Sequence, residues 1–135
     1  MNDNSQILRA FNDHFMELIA DVELVFKGDR EVETLCNAFR VFRRLNPKLI
    51  IVTYKDQVVS KYREAIEKDD FNFWLEHDYH NDIHSNFEDP NNNTAGEIVK
   101  KIDELRETIS KMEENNKKKV LTYIKNLMKI SDLYN

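Results

Sequence analysis

Two glycines and two prolines punctuate 135 residues, so this chain has almost no turn chemistry. Glycine is the residue of positive φ and of close backbone approach to a ligand. Phosphate-cradling loops, dinucleotide turns and nucleophile elbows depend on it. Gly28 and Gly96 stand far apart, each where a helix would end or begin, and Pro47 and Pro90 are the only prolines. This scarcity predicts helices joined by short links. It also leaves no place for the common glycine-dependent catalytic and cofactor motifs, and no cofactor is expected.

The length fits one domain over 1–135, and a chain of this size buries roughly two thirds of its unfolded surface without covalent staples. Charged residues make up 33%, above the usual quarter or so. They read as solvated helix faces, because the apolar residues between them are periodic. A net charge of −5 argues against a chain whose main business is non-specific nucleic-acid binding. Cys36 is the sole cysteine, so no internal disulfide can form. No secretory leader is recognisable, and no apolar run approaches the ~20 residues of a membrane span. A reducing intracellular compartment is therefore expected, without membrane insertion.

Apolar spacing of three and four places helices along most of the chain. Ile7, Phe11, Phe15, Leu18, Val22 and Val25 mark a first helix from Asn4 or Ser5 to Lys27, stopped by Gly28. Asp29 reads as the cap of a second, striped by Val32, Leu35, Phe39, Phe42 and Leu45. Asn46-Pro47 ends that helix and opens the next. The stretch Leu49 to Ile66 begins with strand-like composition but is read as helix throughout, since no second strand is available to pair with it. Asp70 can cap a short aromatic helix, and residues 78–93 read as an irregular acidic, histidine-bearing loop. Thr94-Ala95-Gly96-Glu97 matches a capping box for a fifth stripe, Ile98, Ile102, Leu105, Ile109 and Met112. Asn115-Asn116 reads as the break before a last stripe running from Val120 to Leu133, and so short a link favours a helical hairpin. The expected fold is all-α: one irregular bundle of about five long helices, a short aromatic helix and a C-terminal hairpin.

Three clusters carry possible chemistry. His77, His80 and His84 are spaced by three and four, which on a helix would align imidazoles for a zinc-like ion. The competing reading is a polar loop of solvated histidines. Phe71, Phe73, Trp74 and Tyr79 could anchor a protein partner, or simply fill core. Arg40, Arg43, Arg44 and Lys48, with Lys117, Lys118 and Lys119 at the start of the last helix, could form a basic patch for an anionic partner. A basic helix face is more commonly solvated or paired with an acidic one. Asp13-His14 could tune a general base, but no nucleophile accompanies it. Cys36, beside an apolar stripe, reads as a small buried hydrophobe.

Several segments carry a family pattern. They are Phe11-Asn12-Asp13-His14-Phe15-Met16-Glu17, Asn46-Pro47, Asp70-Phe71-Asn72-Phe73-Trp74 with Asp78-Tyr79, and the tail. The tail reads Ile102-Asp103-Glu104-Leu105-Arg106-Glu107-Thr108-Ile109, Tyr123-Ile124-Lys125-Asn126-Leu127 and Ser131-Asp132-Leu133-Tyr134-Asn135. Taken together the chain resembles short helical proteins of nucleocytoplasmic large DNA viruses of algae and protists. Glu107 departs from that pattern, where such proteins tend to place proline. The resemblance implies a viral product in the host-cell cytoplasm during infection or in the virion, and it transfers no catalytic residue. The expectation is a non-enzymatic protein acting by protein–protein contact, an adaptor or minor capsid-associated component. Its partners would be other proteins, viral ones or copies of itself. The alternative is an intracellular viral regulator binding nucleic acid or gene-expression machinery through the basic helices around 40–63. A metal-dependent enzyme built on the histidine loop ranks last.

Overall fold

A computed structural model describes residues 4–68 and 93–134. Five helices account for nearly all of them: α1 (Asn4–Val25), α2 (Arg30–Leu45), α3, α4 (Asn93–Ser110) and α5 (Glu114–Leu133). The rod α3 is continuous but not uniform; Leu49–Tyr54 and Ser60–Glu67 are α-helical, and Lys55–Val59 between them is a π-helical turn. Among the described residues there is no strand. The all-α bundle expected from the sequence is the fold.

Local chemistry sets the helix ends. α1 stops at Val25, two residues before the predicted Lys27, and Phe26–Gly28 form a turn closed by Gly28 at φ 92°. No neighbouring atom would meet a side chain at Gly28, so only its backbone conformation demands glycine. Gly28→Ala is expected to cost about 1 kcal/mol, read as a lower urea midpoint at unchanged slope. Asp29 is the N-cap foreseen: its Oδ1 accepts from the amides of Glu31 (3.0 Å) and Val32 (3.3 Å). At the other end of α2, Asn46 is extended and its Oδ1 accepts from the Lys48 amide at 3.1 Å, restarting the chain into α3 behind Pro47. The Asn12 side chain, buried in α1, donates to the Pro47 carbonyl at 2.9 Å and ties this corner to the core.

The π turn explains the mixed pattern in the third segment. Tyr54 and Val59, five residues apart, are both buried, and Tyr62 and Ile66 follow on the same face. A regular helix would rotate these later residues off the core face by about a quarter turn. One extra residue in the Lys55–Val59 turn brings them back.

Two boundaries differ from the sequence expectation. α4 begins at Asn93, which puts Thr94 inside the first turn instead of ahead of it as a cap. The link to α5 is Lys111–Glu113, and Asn115 and Asn116 lie within the first turn of α5. Lys117, Lys118 and Lys119 therefore occupy the second turn, behind Glu114, with Lys117 paired to Glu114 at 3.7 Å. Glu114 complements the helix dipole at that end.

The core is shared by all five helices. Phe11, Leu18, Ile19, Ile50, Ile51, Ile98, Ile109 and Leu127 are among its fully buried side chains. A line of rings crosses three helices, with centroids 5.4 Å apart for Tyr54–Phe11, 6.2 Å for Phe11–Phe15, 5.1 Å for Phe15–Phe39 and 6.1 Å for Phe39–Phe42. α5 packs chiefly along α1. From α3 it receives the Tyr54 hydroxyl on the Ile124 carbonyl (2.9 Å) and the Lys55 ammonium on the Tyr134 carbonyl (2.6 Å), where a cation meets a helix C-terminus. On α4, Asp103 and Arg106 form a buried ion pair at 2.7 Å.

Candidate functional site

The basic residues foreseen as one patch divide into two groups. On α2, Arg40, Arg43 and Arg44 follow one another around the face turned toward α1 and solvent. Arg40 grips Glu23 through both terminal nitrogens, with Nη1–Oε2 at 2.9 Å, and the same Nη1 reaches Asn37 Oδ1 at 2.9 Å. The Arg40 hydrogen bond holds the Glu23 carboxyl below the usual range. Arg43 pairs with Asp13 at 2.6 Å. Arg44 is exposed and has no acidic partner among the described residues. With Met16, Asn37 and Val41, the three arginines line an open groove of about 670 Å3. Lys48 lies just beyond, exposed, at the start of α3.

Lys117, Lys118 and Lys119 belong elsewhere. They ride on α5, which meets the opposite flank of α1, where Tyr123 donates to Asp21 at 2.7 Å. That hydrogen bond raises the Tyr123 phenol to about 12, with burial adding to it. Lys119 and Asp21 stand at a small, mostly apolar cleft of about 110 Å3 formed with Leu24, Val25, Met112 and Val120. The linear sequence carries both groups of cations but not the α1 rod that separates them.

Exposure supplies what charge alone did not. Leu45, read from the sequence as a core position, is 71% exposed, because α2 ends there and the extended Asn46 carries the chain away. Val41, one turn earlier, is 38% exposed and forms part of the groove. At the end of α1, Leu24 is 70% exposed and Val25 is also open, although Val25 was assigned to the buried stripe. The signal lay in the sequence: Val41 and Leu45 fall off the Val32–Leu35–Phe39–Phe42 line when angles are counted at 3.6 residues per turn.

A third concavity, about 450 Å3, opens between the start of α2 and α4. Phe26, Val32 and Leu35 lie at its base, and its rim mixes signs, with Arg30, Lys101 and Lys111 against Glu31, Glu104 and Glu107. Lys101 is already engaged by Glu104 at 3.1 Å.

His14 and Asp13 do not form a dyad. Asp13 turns to Arg43, while His14 Nδ1 meets Glu17 at 3.3 Å and its ring packs on Tyr123 with centroids 4.9 Å apart. Cys36 is fully buried; burial pushes its thiol up to about 12, and Sγ sits 3.7 Å from the Ile19 carbonyl. Such a thiol is no nucleophile at neutral pH. Among the described residues no three His, Cys, Asp or Glu side chains gather as a metal-ligand set. His77, His80 and His84, and Phe71, Phe73, Trp74 and Tyr79, lie outside the described residues, as do the residues expected to form the short aromatic helix and most of those expected to form the irregular loop. No described helix is long and apolar enough to cross a membrane.

Two cross-helix ion pairs make stability depend on acid. Glu23 beside Arg40, and Asp132 held by Arg63 (2.5 and 3.0 Å), both have folded pKa values below their ordinary ones. The stability they add is present above the unfolded carboxylate pKa and is lost as pH falls through the folded one. All four side chains are partly exposed, so each pair contributes under about 1 kcal/mol. Urea midpoints are expected to fall as pH drops below about 4, and Arg63→Ala should flatten part of that slope.

No family model, curated protein or solved structure matches the chain.

Proposed function

We propose that this chain acts by protein–protein contact, as a small adaptor or minor structural component of a large virus particle, and catalyses no reaction. The observation that carries the mode of action is the placement of exposed apolar side chains. Isolated surface leucines are ordinary. Here Leu24 adjoins Val25 and an apolar cleft, and Leu45 stands one turn from Val41, which lines an arginine-bearing groove. Of the polar groups nearby, Arg40 and Arg43 are held in ion pairs and Asp21 accepts from the Tyr123 hydroxyl. The setting, host-cell cytoplasm and virion, rests on the resemblance of the sequence to short helical proteins of large DNA viruses. Mass spectrometry of purified particles and cross-linking of the infected cell test it together. The expected result is the chain in particles, with cross-links to defined proteins through α1 or α2. Absence from particles would remove the structural role, and absence of specific cross-links would remove the contact role.

A second reading has an observation in its favour: three arginines share one groove, with Lys48 beyond it. A regulator holding nucleic acid there would lose affinity steeply with salt. Replacing Arg40, Arg43 and Arg44 with alanine would then weaken binding equally on all sequences. Against it, Glu23 and Asp13 already neutralise two of the three.

A further inference from the structure

We propose that the groove between α1 and α2 seats an acidic amphipathic helix of a partner protein. This rests on the protein-contact reading above and adds the surface and the chemistry of the partner.

Three observations converge. Met16 from α1 and Val41 from α2 give the groove an apolar part, and Leu45 extends that line one turn further along α2. Val41 and Leu45 are four residues apart, so they form one ridge along α2. A ridge of that pitch accepts the i, i+4 grooves of another helix. Two of the three arginines at the groove's edges are fixed in place by the carboxylates that neutralise them. Arg40 is clamped by Glu23 and Asn37, and Arg43 by Asp13, which holds both guanidiniums at the groove edge without mobile side chains to order on binding. Arg44, exposed and without an acidic partner among the described residues, adds a further charge to the same groove.

The pairing decides the class of partner. A phosphate backbone needs several free cations and gains nothing from apolar side chains. The groove offers Arg44, which has no acidic partner among the described residues, beside Met16 and Val41, with Leu45 exposed one turn further along α2. A helix carrying leucine-like residues on one face and a carboxylate at its flank satisfies both features. Arg44 would take the carboxylate as a forked pair, and the apolar face would cover Val41 and Leu45.

The test is a displayed library of amphipathic helices of about 16 residues, enough for four turns, with apolar and charged positions randomised and selected on the full chain. Recovered helices are expected to be enriched in Glu and Asp over Lys and Arg. As free peptides they should bind about tenfold or more weakly to the Arg44→Glu and Val41→Asp variants, and equally well to Leu24→Asp. All three positions are solvent-facing, so the variants should melt at the parent's midpoint. Enrichment of cationic helices, equal binding to the groove variants, or recovery of no helix overturns the proposal. Helices sensitive to Leu24→Asp alone overturn the groove while leaving the contact reading in place. A single-stranded RNA of roughly 20 nucleotides that binds more tightly than any peptide, and depends on Arg44, overturns both in favour of the phosphate reading.

Discussion

Phe11→Ala is expected to destabilise the bundle by about 3–5 kcal/mol, the range for truncating a buried phenylalanine. The side chain has no exposed surface and sits where α1 meets α3, its ring 5.4 Å from Tyr54 edge-on and 6.2 Å from Phe15. Two losses add. The transfer free energy of the six ring carbons goes first, and the void that remains is bounded by side chains already held by their own neighbours. Tyr54 cannot swing in to fill it, because its hydroxyl is committed to the Ile124 carbonyl on α5. Phe15 is held against Phe39. A domain of this size has about 5–15 kcal/mol in total, so the loss removes at least about a fifth of it. Urea unfolding followed by far-ultraviolet dichroism gives the number. A loss under about 1.5 kcal/mol would mean the ring line can collapse on itself and does not join the three helices. Phe42→Ala, at the end of the line, is 6% exposed and reports on one partner ring only. It should cost less.

The parts of this fold that the sequence made legible are those governed by local physics. The Asp29 cap, the Gly28 turn and the Asn46-Pro47 corner each follow from one or two residues whose backbone preferences leave little choice. The stripes of α1, α2 and α5 follow from period. What stayed hidden depends on neighbours. The π turn at Lys55–Val59 exists because two apolar runs of slightly different phase must meet one core, and neither run betrays this alone. The α4–α5 link falls at Lys111–Glu113 and not at the asparagines, because Met112 is buried there and Glu114 can start the helix. In the candidate site, the arginines were visible as charge. Their partners Glu23 and Asp13 were not, because ion pairs from one helix to another are written in the packing angle. The split of Lys117, Lys118 and Lys119 from the α2 arginines has the same origin.

Asn12→Asp changes a single atom of one side chain and is expected to cost about 3 kcal/mol or more at pH 7. Asn12 is 1% exposed, and its amide nitrogen donates to the Pro47 carbonyl at 2.9 Å. An ionised carboxylate there would place oxygen against oxygen, with no donor replacing the lost N–H and little water to solvate the charge. Both burial and the facing carbonyl disfavour the charged form, so the folded pKa of the new aspartate rises above the unfolded value near 4. A raised pKa means the folded state binds more protons, and stability falls as pH climbs from the unfolded pKa through the folded one. Below that window the neutral acid can donate its O–H to Pro47, restoring the contact. The parent behaves oppositely, losing stability in acid as Glu23 and Asp132 take up protons. The two curves should therefore converge as pH falls toward 4, which no simple loss of packing would produce. Asn12→Ala is the control. It removes the same hydrogen bond without a charge, so its deficit of about 1–3 kcal/mol should stay constant across the same pH range. Equal, pH-independent losses in both variants would show that the Asn12–Pro47 contact is open to water, and that the corner between α2 and α3 is held by the surrounding apolar packing instead.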